Sequence, residues 1–211
     1  MSDGPGRFIT LEGGEGAGKS TQIARLTDWL KSRDREVLAT REPGGSPGAE
    51  AIRKLLVEGA AERWDGTTEA LLHFAARRDH LRSTVWPALK RGVWVVSDRF
   101  ADSTRAYQGY GHGLDLAMLD RLYEMSIGAF RPDLTLVLDL PVEMGLARAA
   151  ERRGAETRYE SLPRDFHERV RKGFLEIAKR DAKRCAVIDA TRDIDTIANA
   201  ITRVVTDRLG S

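Results

Sequence analysis

At 211 residues the chain is long enough for one α/β domain with a substantial core, and 41% hydrophobic with 31% charged residues is the balance of an ordinary globular protein. A net charge of +2, from 34 Lys and Arg against 32 Asp and Glu, argues against a protein that grips nucleic acid by bulk charge. Cys185 is the only cysteine, so an intrachain disulfide is excluded, and no apolar run approaches the roughly 20 residues of a membrane span. These features together read as a cytoplasmic protein with no nucleic-acid or membrane partner.

Residues 1–6 are polar and rich in Gly and Pro, unlike a signal peptide, and read as a flexible tail. The first strand is expected at Phe8–Glu12. It runs into Gly13-Gly14-Glu15-Gly16-Ala17-Gly18-Lys19-Ser20, the pattern G-x-x-x-x-G-K-[ST] between a strand and a helix. Its glycines let backbone N–H groups turn inward onto phosphate oxygens. Lys19 brings a charge to the outer phosphates, and Ser20 brings a hydroxyl to Mg²⁺. The helix that follows, Ser20–Ser32, aims its positive end at the same anion. The pattern implies a nucleoside triphosphate as ligand.

Strand and helix patterns then alternate. Strands are expected at Val37–Thr40, Val93–Ser97, Leu134–Asp139 and Ala186–Asp189, mostly as short apolar runs suited to parallel strands buried on both faces. Helices are expected at Ala49–Glu58, Thr68–Lys90, Asp115–Ala129, Val142–Arg152, Asp165–Lys183 and Ile194–Leu209. This is one α/β doubly wound domain spanning 1–211, and its ligands should lie outside the carboxyl ends of the strands. Polar residues do cluster there: Arg41-Glu42-Pro43-Gly44-Gly45-Ser46, then Asp98-Arg99-Phe100, then Ser103 to Gly109.

Asp98 ends an apolar strand and so is placed to hold Mg²⁺ or its waters with Ser20. Asp139 is its rival, with capping of the helix at Val142 as the structural alternative. Arg99, whose planar fork can bridge two phosphates, favours Asp98 by completing a joint metal-and-phosphate site. Between residues 148 and 160 lie Arg148, Arg152, Arg153 and Arg158, with Gly154 as a break. Such a segment can act as a lid that brings cations to the charge developing in phosphoryl transfer. No Asn-Lys-x-Asp guanine motif is present, which argues against a GTPase switch.

Taken in order, Leu11-Glu12-Gly13-Gly14-Glu15-Gly16-Ala17-Gly18-Lys19-Ser20-Thr21, Thr40-Arg41-Glu42-Pro43-Gly44-Gly45, Asp98-Arg99-Phe100, Ser103, Ala106-Tyr107-Gln108-Gly109, Phe130 to Leu136 and Ile188-Asp189-Ala190 resemble the thymidylate kinases from about Arg7 to Leu209. The resemblance implies a phosphate-loop NTPase fold like that of the nucleoside monophosphate kinases, with a five-stranded parallel sheet flanked by helices. It also implies a homodimer and Mg²⁺-dependent transfer of the ATP γ-phosphate to dTMP. The same-fold alternative is a kinase for another nucleotide or a deoxynucleoside; an ATP-binding regulatory module is the alternative from a different class.

Site roles follow from the resemblance position by position. Residues 13–21 would hold ATP, with Arg148 and Arg192 as further contacts; Arg192 belongs to the loop beside adenine. Glu15 would approach the deoxyribose 3′-OH region, and Arg53 and Arg99 would contact the dTMP phosphate. Thr104 would meet the pyrimidine N3 edge with Gln108 beside it, Tyr107 would close off the sugar 2′ position, and Tyr159 would lie near the nucleotide. The family's Leu-Leu-Phe-x-x-x-Arg is altered to Leu71-Leu72-His73-Phe74-Ala75-Ala76-Arg77-Arg78. Either His73 stacks on the base and Arg77 reads it, or Phe74 and Arg78 do so one position later; the spacing to His80 favours His73 and Arg77. Glu15, where the family's other type has an arginine, matches the bacterial type, whose catalytic arginine comes from the lid: here Arg153 or Arg152, supported by Arg148 and Arg158.

Overall fold

The computed structural model describes residues 6–59, 63–151 and 158–210. Five strands, β1 (Phe8–Glu12), β2 (Val37–Arg41), β3 (Trp94–Asp98), β4 (Leu134–Asp139) and β5 (Cys185–Asp189), form one sheet in the order β2-β3-β1-β4-β5. Every neighbouring pair is parallel. Leu11 of β1 and Arg41 of β2 both stand opposite Asp98 of β3, and Glu12 stands opposite Val137 of β4. The carboxyl ends of β1, β2 and β3 are therefore level. The chain leaves β1 at the centre of the sheet, at the switch point where a doubly wound fold opens its ligand crevice.

Alternation along β1 sets the two faces. Ile9 and Leu11 join the core under α1 (Lys19–Lys31) and α9 (Ile194–Leu209), with Leu26, Leu30, Ile201 and Val205. Phe8 packs on the opposite face with Phe74, Val95, Phe100, Leu119 and Tyr123, under α3 (Gly66–His80) and α6 (Leu116–Ile127). Thr10 and Glu12 share the Phe8 face by period, so a carboxylate at the end of β1 is driven into the protein beneath the strand ends. A third cluster joins α8 (Arg164–Arg180), through Phe166, Val170 and Phe174, to Tyr107 and Val137.

The strands fall within a residue of the sequence expectation. Two helical stretches differ from it. Thr68–Lys90, expected as one helix, is α3, a π-helical turn at Leu81–Val85 and α4 (Trp86–Lys90). Pro87 has no N–H to continue the α-helical ladder, and the wider turn just before it absorbs the lost bond. The segment after β3, where no helix is expected, forms α5 (Ala101–Thr104) and continues as a π-helical turn, Arg105–Gly111. Its buried side mixes Ala101, Ala106 and Tyr107 with Asp102, Thr104, Gln108 and two glycines, which hides the helical period; close packing on α8, where a Cβ at Gly111 would lie 2.6 Å from Phe166, holds it in place. The remaining helices are α2 (Pro47–Val57), capped by Ser46, and α7 (Val142–Ala150). Residues 1–5 of the expected tail lie outside the described residues. Gly6 is not free tail, because a Cβ there would lie 2.4 Å from the Val93 carbonyl oxygen.

Candidate active site

The loop from Gly13 to Gly18 turns the end of β1 into α1. Gly16 holds φ +67, and a Cβ on it would come within 2.0 Å of the Gly145 carbonyl oxygen. The backbone of α7 thus presses directly on the loop, and only glycine satisfies both the dihedral and the contact. Lys19 folds back over the loop, its Nζ donating to the carbonyl oxygens of Gly13 (3.1 Å) and Gly14 (3.0 Å). Burial and the neighbouring Arg99 push its pKa down to about 8 against the pull of Asp98, Glu15 and Glu12. Ser20 Oγ donates to Asp98 Oδ2 at 3.1 Å, and the other carboxylate oxygen of Asp98 is buried with no partner among the described residues. A hydroxyl beside a carboxylate with an unused oxygen is a donor set fit for a hard divalent cation.

Arg99 follows Asp98 in a left-handed conformation, φ 69. That turn aims its guanidinium back across the loop. Nη1 donates to Gly13 O and Ser103 Oγ, both at 3.1 Å; Nη2 donates to Glu15 Oε1 at 3.0 Å and to Tyr107 Oη at 2.9 Å. The Tyr107 hydroxyl itself donates to Glu15 Oε1 at 2.7 Å. Burial opposes charge on both Arg99 and Glu15; at Arg99 it is outweighed by Tyr107 first and then Glu15, Asp98 and Glu12, and at Glu15 by Arg99 first. The Arg99 pKa stands above its ordinary value, and Glu15, helped by Lys19 and Tyr107, is held down at about 2.

These groups line one wall of a cavity of about 660 Å³ that runs from Lys19, Ser20 and Asp98 past Arg99 to Arg53, His73, Arg77, Thr104 and Gln108. Of the two registers on α3, the structure places His73 and Arg77 at the cavity. Phe74 is in the core edge-on to Tyr123, and Arg78 lies outside, donating to Ser126 O at 3.2 Å. Arg77 is 2% exposed. Its Nε donates to Glu42 Oε2 at 2.7 Å and its Nη2 to Thr104 Oγ1 at 3.1 Å, while Nη1 is buried with no partner among the described residues. Burial, then Arg77 and the other nearby arginines, push the His73 pKa down to about 3, so its ring is neutral and can lie against a base.

The far wall is built by the end of the 148–160 segment. Arg158 is buried, with Nη2 on Glu69 Oε1 at 2.5 Å and Nη1 on Leu56 O at 2.8 Å. Tyr159 Oη lies 3.3 Å from Glu69 Oε2 and 3.3 Å from His73 Nε2, and its ring stands edge-on to Tyr107. Arg53 Nη1 reaches the Pro43 carbonyl oxygen at 2.5 Å.

Other expected residues lie off the cavity. Asp139 lines the small cavity behind the loop rather than the one that holds Lys19, Ser20 and Asp98, and it does not cap α7. Its two oxygens take Nε and Nη2 of Arg171 at 2.7 and 3.0 Å, and α7 begins without a side-chain cap. Arg148 reaches back to Ala190 O at 3.3 Å, and Arg192 is exposed beside Asp189, with Nε to Oδ2 at 3.1 Å. Thr21 is exposed on the first turn of α1, while Gly13 and Gly14 line a small cavity behind the loop. Arg152 and Arg153 lie outside the described residues.

Three buried glutamates were given no role by sequence reasoning. Glu12 accepts from Phe100 N at 2.7 Å and Ser103 Oγ at 2.5 Å, so it holds the turn that carries Arg99. Burial, reinforced by Asp102, raises its pKa to about 8. Glu42 joins Arg77 to His80, whose Nδ1 lies 3.0 Å from Oε1. Glu69 receives Arg158, Gln108 and Tyr159. Glu12 was visible as an acid on the inward period of an apolar strand; Glu42 and Glu69 carry no such local signal.

A parallel sheet with a phosphate loop at its centre, a Ser–Asp pair beside the loop and an arginine-lined cavity continuous with it define a nucleoside monophosphate kinase, a phosphotransferase. Comparison with known proteins narrows this. The profile described as "Thymidylate kinase" matches residues 11–201. The "Thymidylate kinase" of Caulobacter vibrioides is 58% identical over 205 residues, covering 97% of this chain and 98% of that one. That of Bradyrhizobium diazoefficiens is 50% identical over 210 residues, covering 99% and 92%. The crystal structure of thymidylate kinase from Ehrlichia chaffeensis superposes with a TM-score of 0.78 at 33% identity, over 96% of this chain and 100% of that one. The chain belongs to the thymidylate kinase family.

Proposed function

We propose that this protein transfers the γ-phosphoryl group of ATP to dTMP, giving dTDP and ADP, as a step toward dTTP. The observation that carries the reading is the single cavity joining the phosphate loop to the Arg77 and His73 wall, with Arg99 midway between them. The acceptor phosphate is already an anion and needs no covalent intermediate, so positioning and charge neutralisation supply the catalysis. Residues 13–21 bind the ATP phosphates, with Lys19 turning from its carbonyl partners to the γ-phosphate. Arg99 and Arg53 hold the dTMP phosphate, and Arg99 aligns it with the donor. The neutral His73 ring stacks on the base, Arg77 donates to its exocyclic oxygen, and Thr104 and Gln108 meet its N3 edge. Tyr107, fixed between Arg99 and Glu15, fills the space a 2′-hydroxyl would need, and Tyr159 covers the nucleotide.

Ser20 and Asp98 would hold Mg²⁺, which when bound neutralises charge on the phosphates. Arg152 or Arg153 brings the last cation when the 148–160 lid closes, with Arg148 and Arg192 toward the ATP side. We read the chain as one domain, working in the cytoplasm as a homodimer; no described helix is long and apolar enough to cross a membrane. ADP release measured with ATP, Mg²⁺ and a panel of dTMP, dUMP, ribosyl-TMP, dCMP, dAMP, thymidine and no acceptor tests the assignment. Turnover should be strongest with dTMP, weaker with dUMP and slight with the ribonucleotide. Preference for another acceptor would overturn the substrate, and hydrolysis without any acceptor would overturn the kinase.

A further inference from the structure

Gln108 is 1% exposed and lines the cavity. Its Nε2 donates to Glu69 Oε2 at 3.0 Å, while its Oε1 has no partner among the described residues. A carboxylate offers only acceptors, so the amide can meet Glu69 only with its NH₂ group, and the carbonyl oxygen is the atom left over. Glu69 cannot turn to avoid this, because its other oxygen is ion-paired with Arg158 at 2.5 Å and Tyr159 also reaches Oε2. A buried, unpaired carbonyl is costly until something donates to it. The same cavity holds a complementary unmet group, the donor Nη1 of Arg77.

We propose that Glu69 is a positioning residue for base selection: by locking the Gln108 amide it leaves one acceptor to accompany the Arg77 donor. That pair suits a pyrimidine with a ring N–H beside a carbonyl. It opposes cytosine, which presents an unprotonated ring nitrogen beside an amino group. With the amide free to turn, Gln108 would offer NH₂ to cytosine as readily as it offers oxygen to thymine. This deepens the dTMP reading and rests on it.

The test is kcat/KM for dTMP, dUMP and dCMP in the wild type, Glu69→Gln, Gln108→Met and the double variant. A glutamine at 69 can face Gln108 with either end of its amide and so releases the lock. Glu69→Gln should lower the dTMP/dCMP ratio roughly tenfold, the scale of one well-placed hydrogen bond, and leave dTMP/dUMP unmoved, since the methyl is not read here. Gln108→Met should lower dTMP/dCMP on its own while keeping the Glu69–Arg158 pair, and adding Glu69→Gln should then lower it no further. Equal loss with all three acceptors would make Glu69 only an anchor for Arg158 and overturn the proposal. So would a full dTMP/dCMP ratio in Gln108→Met, which reads the amide even if Glu69→Gln fails to fold. A wild type active on dTMP with no such response sinks this inference alone; a wild type inactive on dTMP sinks the substrate reading and this with it.

Discussion

Replacing Arg99 with methionine removes a charge while keeping most of the side chain's reach, and its consequences can be worked from Glu15. The Glu15 carboxyl is held down from 4.5 to about 2, a shift worth about 3 kcal/mol, and Arg99 is the largest of the influences that lower it. Because the folded pKa is depressed, this stabilisation is fully present above pH 4.5 and is lost as pH falls toward 2. In Arg99→Met, burial is left opposed only by Lys19, Tyr107 and His167, and the carboxyl pKa rises toward its unfolded value. The variant therefore lacks most of this stabilisation at pH 7, and the difference from the wild type closes as the carboxyl protonates on strong acidification. The left-handed backbone at residue 99 burdens both proteins and cancels from the comparison. Urea unfolding at pH 7 and pH 3 should show the variant less stable by up to about 3 kcal/mol at the higher pH and by roughly half of that or less at the lower. A gap that does not change with pH would refute the idea that Arg99 acts by neutralising Glu15. Turnover with ATP and dTMP should fall by roughly 10²–10³ in the same variant, as for loss of one transition-state donor.

Three other outcomes are expected. Lys19→Ala should also cost roughly 10²–10³ in kcat, and because the wild-type Lys19 pKa is pushed down to about 8, kcat/KM should decline as pH rises through that value. A profile flat to pH 10 would contradict this. His73→Phe should bind dTMP in calorimetry at least as tightly as wild type, and wild-type affinity should show no His73 titration between pH 7 and 5, since burial holds that ring neutral down to about 3. Gly16→Ala should lower stability by about 1–3 kcal/mol and abolish tight ATP binding, because its Cβ would meet Gly145 O at 2.0 Å; Gly14→Ala, with nothing within 4 Å, should melt near the wild-type temperature.

The strands and the phosphate loop were legible because each depends on local chemistry: unbroken apolar runs, glycines at a turn, and a lysine and a serine at a helix start. Tertiary packing separates the paired registers on α3 by position. Phe74 fits the core beside Tyr123, which turns His73 and Arg77 to the cavity. Asp139 looked like Asp98 in sequence, and nothing local announced that Arg171, 32 residues on, would claim it. The helical segment after β3 escaped because its buried side mixes Ala106 and Tyr107 with Thr104, Gln108 and glycines, so no apolar period of 3.6 appears. Glu42 and Glu69 stayed hidden for the same reason as Arg171: their partners Arg77 and Arg158 come from distant elements.

The most direct test of the central claim is to follow a γ-labelled phosphate from ATP in a single turnover with dTMP and Mg²⁺ and to resolve the products. Label recovered in the β position of dTDP, at a rate unchanged by added water-competing alcohols, is the expected result. Label recovered as free phosphate, or on an acceptor other than dTMP, would contradict the reading of this cavity as a site for direct transfer between two nucleotides.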